Sequence, residues 1–169
     1  MIILKFFILS LIFISSTYIG IVISKKYTNR VVELKELKNA LTIFSTQIKF
    51  TYEPIPNIFL QISEKIQSNI GKIFQKASEN MDKNTAGIAW KEAVENSYTN
   101  INKEDKEIIK SLSNLLGVVD LEGQIKEIEL VDNFLNIQIE KAEQEKKKNE
   151  KMYKTLGVTI GLAMVIVLI

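Results

Sequence analysis

The chain has 169 residues, with 22 basic and 20 acidic side chains and with neither cysteine nor histidine. This composition excludes a disulfide framework, a zinc site built from cysteine and histidine, and a histidine-dependent catalytic triad. Acidic and basic residues alternate, so the basic stripe that nucleic-acid binding requires is missing. Only seven glycines and two prolines interrupt the chain, which favours long helices.

The first 24 residues predict a transmembrane helix. Ile2 to Ser24 contains one charged side chain, Lys5, and as a helix it would extend about 34 Å, enough for a hydrocarbon core of about 30 Å. The alternative is a cleaved signal peptide with Lys5 as its charged start. The long apolar run, the lack of a clear cleavage site before Lys25 and the helical sequence that follows favour a retained helix.

A second transmembrane helix is predicted over residues 153–169. Leu156 to Ile169 carries no charge but has only 14 residues, and Tyr153 and Lys154 suit the membrane interface before it. Glycines 157 and 161 form a small-xxx-small spacing that permits close approach of two helices. Local thinning of the bilayer or packing against another helix would compensate for the short span.

Basic residues predict the orientation, because they accumulate on the cytosolic side of membrane spans. They collect on the inner flanks of the two spans, at Lys25, Lys26, Arg30, Lys146, Lys147, Lys148, Lys151 and Lys154. The expected arrangement is a cytosolic domain over residues 25–152, with both termini on the opposite side of the membrane.

The intervening domain is predicted to be an all-α antiparallel bundle of about six helices. Its first helix ends near Glu53, before two prolines, and carries a heptad seam typical of a coiled coil, at Leu34, Leu37, Leu41, Phe44 and Ile48. Its last helix starts at Asp120 and runs unbroken into the second span, with a seam at Leu121, Ile125, Ile128, Leu135, Ile139 and Ala142, where the missing position falls on Asp132 beside Val131.

Four shorter helices are predicted between these two. The second helix is expected from about Asn57 to Asn69, and Gly71 is expected to follow its end. Thr85 or Asn84 is a candidate cap for a later helix, and Asn102, followed by acidic residues, caps the next one.

Four residues, Trp90, Gly117, Asp120 and Gln124, stand out as structural or interaction candidates. Trp90 is the only tryptophan and is either a binding hot spot or, at helical spacing from small apolar residues, part of the core. Gly117 is placed for a left-handed helix end, and Asp120 is better placed for a helix cap than for a ligand. The acidic residues of the last helix alternate with lysines, which is typical of a solvated face rather than of a metal site.

Neither a phosphate-binding loop nor a G-x-S-x-G elbow occurs, so we predict no catalytic, cofactor-binding or metal-binding residues.

Several short segments follow one another in a distinctive order, namely Lys25-Lys-Tyr27, Tyr52-Glu-Pro54-Ile-Pro56, Ala89-Trp90-Lys-Glu-Ala93, Leu115-Leu-Gly117-Val-Val-Asp120 with Gln124, and Lys151-Met-Tyr-Lys154-Thr-Leu-Gly157. In their order and spacing these segments resemble the stage III sporulation protein AB (SpoIIIAB) family over nearly the whole chain. The chain departs from the family pattern at the start of the second helix, where Glu-Pro-Ile-Pro replaces a Thr-Pro-Leu type of start.

The resemblance implies a soluble domain similar to that of type II secretion and type IV pilus platform proteins. It further implies a non-enzymatic part of the SpoIIIA–SpoIIQ channel, in the mother-cell membrane around the forespore. The partners implied are membrane lipid, other channel components and a cytosolic secretion-type ATPase, and oligomerisation within the complex stays open. The expected partner surface is the membrane-distal end of the bundle, near Asn80–Thr85 or Val118–Gly123.

Two other readings compete with this platform hypothesis. A two-span adaptor or signal relay is one, although such proteins usually carry a sizeable extracytoplasmic domain. A membrane enzyme that uses carboxylates is the other, and no substrate suggests itself.

Overall fold

The computed structural model describes residues 2–51, 53–114, 116–117 and 121–168. Over these residues the protein is all-α, as predicted, with six α-helices, one short 3-10 helix and no strand. The α-helices are α1 (Ile2–Thr51), α2 (Ile55–Lys65), α3 (Asn69–Asn80), α4 (Ala86–Glu95), α5 (Lys103–Lys110) and α6 (Leu121–Leu168), and the 3-10 helix is Ser111–Asn114.

The chain divides into two compact units. The hairpin unit consists of Met1–Val31 and Lys141–Ile169, and the bundle unit is Val32–Glu140. The two long helices α1 and α6 each contribute residues to both units, whereas α2 to α5 belong to the bundle unit alone. The predicted membrane boundaries at residues 24 and 153 remain predictions.

The core of the bundle unit is built on the predicted seam of α1. Leu34, Leu37, Leu41, Phe44 and Ile48 are all buried, as the seven-residue repeat indicates. Phe59 of α2 lies next to three other aromatic rings, with centroid distances of 5.0 Å to Phe44, 5.1 Å to Phe74 and 5.4 Å to Trp90. These edge-to-face contacts suit the ring quadrupoles and hold α1, α2, α3 and α4 together.

Local signals explain several helix ends. Helix α1 ends at Thr51, close to the predicted position before Pro54, and Pro54 precedes the first residue of α2. At the start of α5, the side chain of Asn102 accepts a hydrogen bond from the backbone N–H of Asp105, and the Asp105 carboxylate accepts one from the Asn102 N–H. This reciprocal pair is a capping box and confirms the predicted cap.

The predicted extent of the second helix is wrong. Helix α2 ends at Lys65 instead of Asn69, and Asn69 begins α3. The hydroxyl of Ser68 accepts a hydrogen bond from the N–H of Ile70, so Ser68 caps α3 and starts a new helix there. Gly71 lies inside α3, where a Cβ would come within 1.6 Å of the Ile66 carbonyl oxygen. The glycine therefore permits a tight turn between the helices and does not terminate one.

The seam of α6 also differs from the prediction in part. Its buried positions are Ile128, Val131, Leu135, Gln138 and Ala142, whereas Asp132 and Ile139 are only partly buried. The repeat is kept, but Val131 fills the position that the sequence pattern assigned to Asp132. Gln138 takes the place of Ile139, so the buried positions recur at spacings of three, four, three and four residues, the alternation of a seven-residue repeat.

Candidate functional site

The hairpin unit exposes an unusual number of large apolar side chains. Along α1, Ile3, Phe7 and Tyr18 are 86%, 67% and 66% exposed, and along α6 Ile166 and Val167 are 72% and 83% exposed. An apolar surface this extensive is unfavourable in water and marks a membrane or protein contact. Both α1 and α6 are long and apolar enough to cross a bilayer, which makes them candidate membrane spans.

The two helices of this unit pack antiparallel at a contact between glycines. A Cβ on Gly20 would lie 2.6 Å from the Tyr153 carbonyl oxygen and 2.9 Å from the Gly157 Cα atom. A Cβ on Gly157 would lie 2.9 Å from the carbonyl oxygen of Ser16, whose hydroxyl donates a 2.8 Å hydrogen bond to the Gly157 carbonyl. Only glycine permits this approach, and the hydrogen bond adds a polar contact between the two helices.

The small-xxx-small spacing of Gly157 and Gly161 is therefore used within the chain. Gly161 lies against Phe13 and Ser16 of α1, at 3.0 and 3.3 Å from a Cβ built on it. The counterpart in α1 is the pair Ser16 and Gly20, which has the same four-residue spacing. This second spacing was the signal from which the contact could have been predicted.

A polar layer follows the apolar contact. The rings of Tyr27 and Tyr153 stack with a centroid distance of 5.8 Å and an interplanar angle of 16°. A hydrogen bond with Tyr153, followed by burial, raises the pKa of the Tyr27 hydroxyl above its usual value. The Thr28 hydroxyl donates to Glu150 at 3.3 Å, and Lys154 donates to the other oxygen of Glu150 at 2.7 Å.

These contacts lower the pKa of the Glu150 carboxyl, chiefly through the hydrogen bond from Lys154.

Arg30 lies in the same layer and is the basic residue whose role the sequence did not reveal. Its side chain is 7% exposed, and its Nη1 atom lies 2.7 Å from an oxygen of Glu145. A buried guanidinium needs such a partner, because an unpaired charge out of water is costly. Arg30 therefore joins α1 to α6, in addition to counting among the basic residues that flank the first predicted span.

The other predicted flanking cations stay at the surface. Lys146 is half-buried, and the remaining six are exposed, namely Lys25, Lys26, Lys147, Lys148, Lys151 and Lys154.

The structure describes three of the remaining sequence candidates. Trp90 is fully buried, and its indole N–H donates a 2.7 Å hydrogen bond to the carbonyl of Ile109, which places it in the core. Gly117 has a φ angle of 80°, in the left-handed region that its position predicted. Gln124 is half-buried in the first turn of α6. Asp120 lies outside the described residues.

Two acidic residues of α1 have a role that the sequence analysis missed. Glu33 is 6% exposed and accepts hydrogen bonds from the backbone N–H and the side-chain amide of Asn100, at 2.5 and 2.8 Å. One turn further along, Glu36 accepts a 2.7 Å hydrogen bond from the Ser68 hydroxyl. Helix α1 thereby holds the α4–α5 loop and the α2–α3 turn. The sequence contained a signal for the burial of Glu33, because this residue is adjacent to the seam residue Leu34.

Within the described ranges, no three acidic, histidine or cysteine side chains come together as a group that could hold a metal ion.

Comparisons with known proteins agree with this architecture. The chain matches the stage III sporulation protein AB family over residues 5–169. It is 29% identical to stage III sporulation protein AB of Bacillus subtilis (strain 168) over 161 residues, covering 93% of this chain and 94% of that protein. A solved structure of stage III sporulation protein AB (SpoIIIAB) matches the fold with a TM-score of 0.66 and 22% identity, over 71% of this chain and 98% of the solved one.

The full-length family match, together with the helix order and the paired terminal helices, shows that this chain belongs to the stage III sporulation protein AB family.

Proposed function

We propose that the protein is a non-enzymatic membrane platform of a sporulation channel complex. The hairpin unit would anchor it in the mother-cell membrane around the forespore, and the bundle unit would face the mother-cell cytosol. There it would engage a cytosolic secretion-type ATPase and other components of the SpoIIIA–SpoIIQ channel. The family places the chain in stage III of sporulation. The platform role is our inference from that membership and from the architecture.

The observation that carries the proposal is the exposed apolar surface of a tightly packed helix pair. The Gly20–Gly157 contact and the Ser16 hydrogen bond join two helices whose outer faces remain apolar. A lipid bilayer accommodates such a pair, because every backbone polar group inside a helix is satisfied internally. A two-helix anchor that carries a rigid bundle fits a scaffold better than it fits a catalyst.

The proposed orientation rests on the exposed lysines next to the apolar stretches. The chain has no cysteine, so a single engineered cysteine is the only thiol available to a probe. We would place one at Asn80, the last residue of α3, and in separate variants one at Ile3 or Val167. Each variant would be expressed in non-sporulating cells and treated with a membrane-impermeant maleimide.

We expect the Asn80→Cys variant to react only after the membrane is opened, and the two terminal variants to react in intact cells. Labelling of Asn80→Cys in intact cells would overturn the proposed orientation. The mass of the intact purified protein is the control for processing, because loss of Ile2 to Ser24 would mean that the first span is cleaved.

The proposed partner contact is tested separately from orientation. We would reverse the charges of Asp82 and Lys83, in the turn between α3 and α4, with the substitutions Asp82→Lys and Lys83→Glu. The variant purified in detergent from sporulating cells should no longer carry the ATPase, while the fluorescence of buried Trp90 stays unchanged. Undiminished recovery of the ATPase would rule out this turn as the contact, and its absence from the wild-type preparation would rule out the platform proposal.

A further inference from the structure

The bundle unit contains a polar groove between the second half of α1 and the first half of α6. It has a volume of about 400 Å³ and is lined mainly by Leu41, Thr42 and Thr46 of α1 and by Ile128, Glu129 and Asp132 of α6. Leu41 and Ile128 are almost fully buried and form its apolar floor. The groove thus has polar walls over a hydrocarbon base.

Two hydroxyl groups of the groove, those of Thr42 and Thr46, act as acceptors. Thr42 donates its hydroxyl hydrogen to the Lys38 carbonyl at 3.0 Å, and Thr46 donates to the Thr42 carbonyl at 2.8 Å. Each hydroxyl has one hydrogen to donate and two lone pairs. Because the hydrogens are already used within α1, both groups have only acceptor capacity left for a ligand.

Among the described residues, the two carboxylates of the groove form one ion pair, between Asp132 and the Lys38 ammonium. Asp132 Oδ2 lies 3.5 Å from the Lys38 ammonium, whereas Asp132 Oδ1 is buried without a hydrogen-bond partner in the described part of the chain. Lys38 also donates to Asn136, so its charge is shared. Glu129 is exposed and pairs with none of the described residues. The groove therefore has an excess of negative charge and of acceptors.

We propose that this polar groove receives an arginine side chain from a protein partner. A guanidinium has five N–H donors and no acceptor, which complements the acceptor-rich walls. Its planar fork can bridge the Glu129 and Asp132 carboxylates, and its aliphatic stem can cover Leu41 and Ile128. This inference rests on the proposed function for the existence of a partner and specifies the chemistry of one contact.

The test is an NMR titration of the full chain in detergent micelles with labelled Leu and Ile methyl groups. The probe is N-acetyl-arginine-N-methylamide, and its control is the citrulline analogue, which has nearly the same shape and no charge. We expect saturable shifts of the Leu41 and Ile128 methyl signals with the arginine probe only, at millimolar affinity. A single side-chain analogue supplies only part of a protein interface, so weak binding is expected.

Two variants make the result specific. Glu129→Gln should weaken binding of the probe about tenfold, because it removes a charged acceptor. Glu140→Gln, the same change at an exposed position of α6, should leave the affinity unchanged. Thr46→Leu, which fills the groove while keeping both carboxylates, should also abolish the shifts. Equal shifts with citrulline, no shifts with arginine, or equal affinities for the two glutamine variants would each overturn the inference.

The titration distinguishes a failure of the groove inference from a failure of the proposed function. If the probe fails to bind while channel components still co-purify with the wild-type chain, the groove inference is wrong and the platform proposal stands. If no channel component co-purifies, the platform proposal is wrong whatever the titration shows, and a partner's arginine is then ruled out together with it.

Discussion

The substitution Phe59→Leu tests whether one aromatic cluster holds the bundle unit together. Phe59 is 1% exposed and makes ring contacts with Phe44, Phe74 and Trp90. Each aromatic pair contributes about 0.5–1.5 kcal/mol beyond the burial of its surface. Leucine keeps most of the apolar burial but loses all three pairs and leaves a small cavity, so we expect a loss of about 2–4 kcal/mol in the free energy of unfolding.

Urea unfolding of the full chain in detergent micelles measures this loss. Trp90 is the only tryptophan and touches Phe59, so its fluorescence reports directly on the core of the bundle unit. A loss of this size is a large fraction of the stability of an ordinary domain, about 5–15 kcal/mol. The midpoint should therefore shift clearly towards lower urea.

Phe50→Leu is the matched control, since Phe50 is 69% exposed on the same bundle unit. Its unfolding free energy should change by no more than about 0.5 kcal/mol. Equal losses for Phe59→Leu and Phe50→Leu, or a loss below about 0.5 kcal/mol for Phe59→Leu, would refute the argument that edge-to-face contacts stabilise this core.

Three further changes test the helix contacts. Gly157→Leu should separate the helices of the hairpin unit and broaden the distance distribution between spin labels placed on them, whereas Ala163→Leu on an exposed face should not. Glu33→Gln weakens the anchoring of Asn100, so hydrogen exchange of the Asn100 N–H should accelerate about tenfold, and unchanged exchange would contradict that role. Because the pKa of the Glu150 carboxyl is lowered on folding, its contribution to the free energy of unfolding is present above pH 4.5 and is lost as the pH falls. The substitution Glu150→Gln should abolish this part of the pH dependence in an acid titration of unfolding.

Local sequence patterns predicted the helices that carry the fold. Pro54, the seam from Leu34 to Ile48 and the cap at Asn102 act within one or two turns of helix, so the residues themselves reveal them. The predicted extent of the second helix was wrong because the Ser68 cap and the close contact of Gly71 with Ile66 start a new helix, although the apolar pattern continues. A glycine that permits close packing looks, in sequence, the same as a glycine that ends a helix.

Contacts between distant segments were harder to predict. The pairing of Arg30 with Glu145 joins residues that lie 115 positions apart, and neither side chain has a local feature that identifies the other. The same holds for Glu33 and Asn100, and for the carboxylates that share the polar groove with hydroxyls of α1. Charge patterning placed Glu145 on a solvated face of the last helix, whereas the structure pairs it with Arg30, whose buried guanidinium requires a partner.

The amino-acid sequence alone determined the all-α class, the two long apolar helices at the ends and the bundle of shorter helices between them. Hydrophobic periodicity and chain-breaking residues act locally, so they can be interpreted from the sequence without knowledge of any partner segment. Only the tertiary structure decided which glycines touch, which charges are buried and where a groove forms. Those outcomes depend on the register of helices that are distant in the chain, and register is set by the packing of all side chains at once.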